Sequence, residues 1–170
     1  MEEKIYVHNA GMVLIAPFLP RYYEMLVMLT QNQFNDEATG IRGVCLLEYL
    51  VSGRTEFPEH ELALNKVLCG LSLSTPIPTQ IELTEAEEET SRQLLKTVLQ
   101  NWGNLKNATI DNLRDSFLLR NGVLEKQEDS WSVQVESAGY DMVLQILPWT
   151  ISKISLPWMS KRVETTWNNS

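Results

Sequence analysis

The stretch that decides the fold class covers residues 109–136 and reads TIDNLRDSFLLRNGVLEKQEDSWSVQVE. Its first part, residues 109–120, repeats apolar side chains at three- and four-residue spacing, which is typical of a helix with one buried face. Its second part alternates apolar and polar side chains from residue 131 to residue 135, which is typical of a strand with one wet face. The change of period predicts an α+β protein in which a helix leads into a β-hairpin.

The residues before this stretch are rich in helix signals. The clearest lies at 84–102, where Thr84 and Glu87 have the spacing of a capping box. Another begins near Asn35 or Asp36, either of which can cap it, and ends at Gly53. We expect helices at roughly 9–16, 20–29, 36–52, 58–69, 84–102 and 109–120.

The residues after the hairpin favour short strands at Ile154–Leu156 and Val163–Trp167, whereas Tyr140–Leu147 is ambiguous, with a helix slightly favoured. The expected fold class is therefore α+β and mainly α, with a compact multi-helix domain followed by a β-hairpin and short strands. We expect a single globular domain over residues 1–170. Its helical part covers about 8–120, and its hairpin and Trp/Pro-rich end covers about 121–167.

The charge of the chain argues against a nucleic acid partner. Its 170 residues carry a formal net charge of -8, and the sequence pI is about 4.8, whereas phosphate contacts need clustered cations. A helix followed by a hairpin is also the order of elements in a winged helix, but the hairpin tip at 125–129 is net negative. A wing that contacts protein remains open.

Neither export nor membrane insertion is indicated. The most apolar N-terminal run, Ala10 to Pro20, is too short to span a bilayer, and the residues before it are acidic. Cys45 and Cys69 lie in apolar helical patterns, so we expect buried reduced thiols in a cytoplasmic protein.

No catalytic constellation emerges from the sequence. The two histidines are His8 and His60, and the flanking Glu59 and Glu61 face other directions than His60 on a helix. Acidic residues at 85–89 match the start of a helix, where negative charge is stabilised. With neither a phosphate-binding glycine loop nor a dinucleotide fingerprint, we predict a non-enzymatic protein with no cofactor and no metal site.

The tryptophans lie in the second part of the chain. Leu147-Pro-Trp149 recurs nine residues later as Leu156-Pro-Trp158, which predicts two tryptophans held on extended turns. Exposed aromatic side chains commonly anchor partner proteins. The partner-binding candidates are Trp149, Trp158, Pro148, Pro157 and Phe18.

A series of short motifs, in order, resembles the contractile injection system tape measure protein family. The resemblance covers about residues 5–167. Its motifs are Asn9-Ala-Gly11 through Ala16-Pro-Phe-Leu-Pro20, Leu46-Leu47-Glu48-Tyr49-Leu50 with Gly53, Pro58-Glu59, Leu64-Asn-Lys-Val-Leu-Cys-Gly70, Leu83-Thr84-Glu85, Trp102, Leu113-Arg114, Phe117-Leu118, Arg120, Trp131, Val135-Glu136, Tyr140-Asp141, Leu147-Pro-Trp149 and Leu156-Pro-Trp158-Met159.

The resemblance implies a role in phage-tail-like particles, where an inner tube stacks on a baseplate and a contracting sheath drives the tube into a target. The tape measure protein lies within the growing tube and sets its length. The implied partners are tube, baseplate or other particle proteins. The implied location is the cytoplasm during assembly and then the particle. The resemblance brings no catalytic residues with it.

The length of the chain departs from this role. A helix rises 1.5 Å per residue, so 170 helical residues would span only about 255 Å. The chain is thus either the globular segment of a longer protein or a short stand-alone relative, and the alternative function is an adaptor or chaperone that binds a tube, baseplate or cargo protein. The direct partner, the copy number and the interface stay open, and the apolar N-terminal helices leave a homo-oligomer open.

Overall fold

The computed structural model describes residues 4–105, 107–138, 144 and 147–167. Their helices are α1 (Leu19–Met25), α2 (Glu37–Ser52), α3 (Ala63–Leu68), α4 (Glu85–Asn101) and α5 (Ile110–Leu113). Their strands are β1 (Lys4–Val7), β2 (Leu29–Thr30), β3 (Gln33–Phe34), β4 (Gly122–Lys126), β5 (Ser130–Val135), β6 (Lys153–Ile154) and β7 (Arg162–Thr166). The segment Tyr140–Leu147, for which the sequence slightly favours a helix, lies largely outside the described residues.

The two longest helices of the described chain begin where their capping residues predict. The Oδ1 atom of Asp36 accepts the backbone N–H of Thr39 at 2.7 Å, which satisfies a free donor at the start of α2. Thr84 and Glu87 form the reciprocal capping box of α4. Gly53 ends α2 in the left-handed conformation, at φ 75°. These three predictions are confirmed.

The helix predicted at 109–120 changes its hydrogen-bonding pattern half-way. It begins at Thr109, which caps α5, and continues as a π-helical turn over Arg114–Leu118. Arg114 extends from this turn to the end of α2, where Nε donates to the carbonyl of Leu50 at 3.0 Å and Nη2 to that of Tyr49 at 3.1 Å. Because the last carbonyls of a helix have no partner within it, Arg114 completes α2.

Three other helix predictions are only partly right. The segment expected at 9–16 forms 3₁₀ turns at Ala10–Leu14 and Ala16–Phe18, since Pro17 cannot donate an internal helix bond. The helix expected at 20–29 is α1, which ends early at Met25 and is followed by the β2–β3 hairpin. The helix expected at 58–69 is a 3₁₀ turn at Glu59–Glu61 followed by α3.

The described strands other than β2 and β3 form one mixed five-stranded sheet in the order β1-β4-β5-β7-β6. Strand β4 pairs antiparallel with β1 and with β5, which confirms the predicted hairpin, and β5 pairs parallel with β7. The inner face of this sheet is apolar and packs against the helices. The buried residues on this face include Val7, Leu124, Val133 and Val163. Its outer face is polar apart from exposed residues such as Tyr6.

The expected fold class, mainly α with a helical domain followed by a hairpin, is wrong in its layout. Strand β1, at residues 4–7, pairs with β4 at residues 122–125, so the sheet joins the two ends of the described chain across the helices. The molecule is a mixed α+β structure. The sequence Lys4-Ile-Tyr-Val7 does not alternate apolar and polar side chains, and β1 acquires its partner only in the folded chain.

The N-terminal turns pack directly against the turn before the sheet. A Cβ atom on Gly11 would lie 1.7 Å from the carbonyl oxygen of Phe117, so only glycine fits this approach. The adjacent N–H of Ala10 donates to the carbonyl of Arg120 at 2.8 Å. Residues that begin and end the predicted helical part are therefore locked together beside β4.

Candidate interaction surfaces and a buried polar junction

Three buried polar side chains meet where the N-terminal turns cross α2 and α3. Asn9 Nδ2 donates to Glu48 Oε1 at 2.8 Å and to Asn65 Oδ1 at 3.0 Å, and Asn65 Nδ2 donates to Glu48 Oε1 at 3.3 Å. Each of these residues is at most 3% exposed. We call Asn9, Glu48 and Asn65 the polar junction. It joins three elements through hydrogen bonds, in addition to their apolar packing.

The neighbours of the Glu48 carboxylate compensate its buried charge only partly. Burial raises the pKa of Glu48, against the opposing effect of the hydrogen bonds from Asn9 and Asn65. The half-exposed Arg54 lies 3.4 Å from Glu48 Oε2 and 3.6 Å from Glu61 Oε1. A buried acid held by two amides and one cation fixes the geometry of these elements at some cost in stability.

One of the proposed partner anchors, Trp149, is tied to the N-terminal turns. Its Nε1 donates to the carbonyl of Leu14 at 2.9 Å. Its ring meets Phe18 edge-on at a centroid distance of 5.0 Å and lies 6.2 Å from the ring of Trp102. Trp149 and Phe18 are half-buried, whereas Pro148 is exposed. This tryptophan therefore attaches the C-terminal segment to the rest of the molecule and keeps part of its surface accessible.

The second anchor, Trp158, is buried. Its Nε1 donates to the carbonyl of Leu68 at 2.8 Å, and its ring packs against Phe34 at 4.9 Å and Tyr23 at 5.6 Å. The neighbouring Pro157 is exposed, and its carbonyl accepts the side chain of Gln33 at 2.8 Å. The structure thus brings Trp149 and Phe18 together but places Trp158 on a separate, internal contact.

A partly apolar, exposed surface adjoins Phe18. A groove of about 250 Å³ lies between α1 and α4, and its lining combines apolar residues, among them Phe18, Met25 and Leu94, with polar ones that include Arg21. Met25 is 50% exposed, and Val27, just beyond the end of α1, is 78% exposed. Val27 has a φ of 60°, an unusual conformation for a β-branched residue. The backbone therefore turns back at a position where an apolar side chain faces outward.

The cysteines are structural. Cys45 and Cys69 are buried and free, which confirms the expectation of buried reduced thiols. Burial raises the pKa of Cys45 to about 11 and that of Cys69 to about 12, so both thiols stay protonated at neutral pH. Among the described residues, no three His, Cys, Asp or Glu side chains come together in a way that could hold a metal ion.

A family model described as contractile injection system tape measure protein matches residues 1–167, nearly the whole chain. The chain belongs to the contractile injection system tape measure protein family. Membership relates its role to that of a tape measure protein in such a system. No curated protein and no solved structure matches the chain. In the part of the chain that the structure describes, no helix is long and apolar enough to cross a bilayer.

Residues from several of the family motifs contact one another inside this tape measure family chain. Asn9, Glu48 and Asn65 come from three separate motif stretches and together make the polar junction. None of the three is among the partner-binding candidates that the sequence indicates. A usable signal was present, because Glu48 interrupts the apolar run Leu46-Leu47-Glu48-Tyr49-Leu50 and Asn65 follows an apolar helix position. Polar residues inside apolar periodicity indicate buried hydrogen bonds.

Proposed function

We propose that this chain is a non-enzymatic structural component that acts in tube assembly and length control of a contractile injection particle. The family match over residues 1–167 is the observation that supports this most directly. The internal hydrogen bonds of the polar junction and of Trp149 and Trp158 are consistent with a rigid structural part. Its partners are then tube, baseplate or other particle proteins. It is made in the cytoplasm and ends in the particle.

The folded shape limits how such a chain can control length. Helix α4 has 17 residues and is therefore about 25 Å long, and the described chain folds back on itself through its sheet. A compact body cannot itself lie along a tube as a ruler. We propose that it acts at a fixed position, such as a tube end or the baseplate, where it docks other proteins.

The docking surface that we propose surrounds the half-buried Phe18 and Trp149. It includes the exposed Pro148 and the groove beside Met25, while Pro157 marks a second exposed turn. Trp158 supports that turn from inside. An exposed apolar surface beside aromatic residues also favours the second candidate, an adaptor or chaperone that binds a tube, baseplate or cargo protein without staying in the particle.

Electron microscopy of sheath–tube particles tests the first role against the second. Cells that carry an in-frame deletion of this segment are compared with cells in which the intact segment is restored. We expect the deletion to abolish particles or to give tubes of scattered length, with recovery on restoration. Normal particles of uniform length would contradict the assembly role and favour an adaptor outside the tube. Quantitative proteomics of purified particles should detect the chain only in the first case.

A further inference from the structure

A pocket of about 440 Å³ lies between the inner face of the sheet and the loop that follows α3. Its apolar wall combines Ile5 on β1 and Trp131 on β5 with Val67, Leu71 and Leu73. The volume falls within the range of cavities that bind ligands or side chains in proteins. Trp131 is only half-buried, so its ring remains available to an incoming group.

The charged side chains that line this pocket are opposite in sign to the net charge of the chain. Lys126 and Lys161 line it, and none of the described residues that line it is Asp or Glu, although the chain carries a net charge of -8. Lys66 adds a third ammonium behind the wall, where Nζ donates to the carbonyl of Leu73 at 3.0 Å. Lys66 is 5% exposed and forms no ion pair with any described residue.

An ammonium group has three N–H donors, and a positive charge held away from water favours a nearby anion. We propose that this pocket docks an extended segment of a partner protein in which a large apolar side chain is flanked by carboxylates. The apolar wall receives that side chain, and Lys126 and Lys161 pair with the carboxylates. The proposal concerns recognition chemistry and holds whether or not the chain acts in tube assembly.

Fluorescence anisotropy with a labelled peptide tests this proposal. The probe is fluorescein-Glu-Glu-Phe-Leu-Glu-Glu, titrated with the full chain at low and at high salt. We expect saturable binding that weakens with salt. The matched peptide with Gln in place of every Glu should bind at least about tenfold more weakly, because it keeps the apolar residues and loses the charge pairing.

Two protein variants with the same change of charge locate the site. The double variant Lys126→Glu/Lys161→Glu should lose binding of the acidic peptide. Lys96→Glu/Lys153→Glu, two exposed lysines outside the pocket lining, should retain most of it. Circular dichroism checks that both variants fold. If one of them does not fold, the comparison of the two peptides on the unaltered chain still decides the question.

Three outcomes would overturn the proposal. They are absence of binding by the unaltered chain, equal binding of the Gln peptide, and unchanged binding by the Lys126→Glu/Lys161→Glu variant. Sedimentation analysis tests one further possibility, namely that the chain binds a second copy of itself. If the unaltered chain self-associates and this variant does not, the pocket receives a second copy of the chain, and the partner segment is contradicted.

Discussion

Glu48 is the most deeply buried carboxylate among the described residues, at 1% exposure. Its surroundings are two amides and one half-exposed cation, Arg54. Removing one partner from such a group costs more than making the pair gains, because a buried charge is then left uncompensated. The local sequence alone shows that Glu48 is unusual, because it is a charged residue within an apolar run. The identity of Asn9 as its partner depends on chain segments 39 positions apart.

The first prediction concerns the pH dependence of stability in the variant Glu48→Gln. Burial raises the pKa of Glu48 from its usual 4.5, so the folded chain binds this proton more tightly than the unfolded chain. The stability contributed by the group is therefore fully present below pH 4.5 and is lost as pH rises through the folded pKa. As the pH rises through that pKa, the free energy of unfolding of Glu48→Gln should increase relative to that of the unaltered chain. Urea denaturation at a series of pH values measures it.

Comparison with the unaltered chain at each pH isolates Glu48. Glu87 titrates with the opposite sign: burial acts to raise its pKa, but hydrogen bonds from Arg42 and Thr84 lower it on balance. Its contribution is lost as pH falls and cancels in the comparison. Glu128→Gln, on the exposed hairpin turn, is the matched control and should show no such change. A Glu48→Gln variant that tracks the unaltered chain across the whole range would contradict the prediction.

At the scale of elements, side chains from distant segments complete helix ends. Arg114 caps α2, and the indole of Trp158 caps the carbonyl of Leu68, the last residue of α3. Both ends would otherwise leave carbonyls without partners near the core. The short helices are therefore stabilised by tertiary contacts, since six residues, as in α3, are too few for a stable isolated helix.

The second prediction concerns Trp158→Phe. This change keeps an aromatic ring against Tyr23 and Phe34 but removes the N–H that pairs with Leu68. We expect a loss of about 1 to 3 kcal/mol in the free energy of unfolding, the cost of a buried acceptor left unpaired. Urea denaturation followed by far-ultraviolet circular dichroism measures it without depending on the fluorescence of the altered residue.

Trp131→Phe is the matched control, because Trp131 is half-buried on β5 and, among the described residues, its indole makes no hydrogen bond like the one from Trp158 to Leu68. It should cost less than half as much. Equal losses in the two variants would show that ring size, and not the hydrogen bond to Leu68, sets the stability of this segment.

Local signals explain which elements were predictable. Thr84 and Glu87 are three residues apart and interact within one turn, so their capping box could be identified from sequence. The alternation of apolar and polar residues at 131–135 likewise indicates that one face of β5 is exposed to solvent. Strand β1 gave no comparable signal, because its partner β4 is more than a hundred residues away.

Part of the local structure around the partner-binding candidates was predictable as well. The prolines at 148 and 157 correctly indicated irregular segments, and both are exposed. The depth of Trp158 could not be predicted, because Tyr23 and Phe34 come from the other end of the chain. The pocket beside Trp131 needed tertiary structure altogether, since its wall combines β1, β5 and the loop after α3.

At the scale of the whole molecule, the helices and the sheet share one apolar core. Strand β1 crosses to β4, Trp149 attaches to Leu14 and Trp158 attaches to Leu68. Two of these contacts tie helical segments to residues of the C-terminal part. We therefore propose that residues 1–170 form a single cooperative domain.

The third prediction is that unfolding in urea is a single transition. Far-ultraviolet circular dichroism reports the helices, and tryptophan fluorescence reports the C-terminal contacts, so both signals should change with the same midpoint and slope. A helical signal that persists after the tryptophan signal is lost would contradict one cooperative domain and indicate an independently stable helical part.

The pairing of β1 with β4 also sets the order of events during synthesis. Residue 122 leaves the ribosome 115 residues after residue 7, which at 5 to 20 residues per second is a delay of about 6 to 23 seconds. During that delay β1 has no partner strand. Its four residues include the charged Lys4, so it is a poor template for pairing with other nascent chains. A lengthened or uncharged first strand would expose the growing chain to aggregation before its sheet can close.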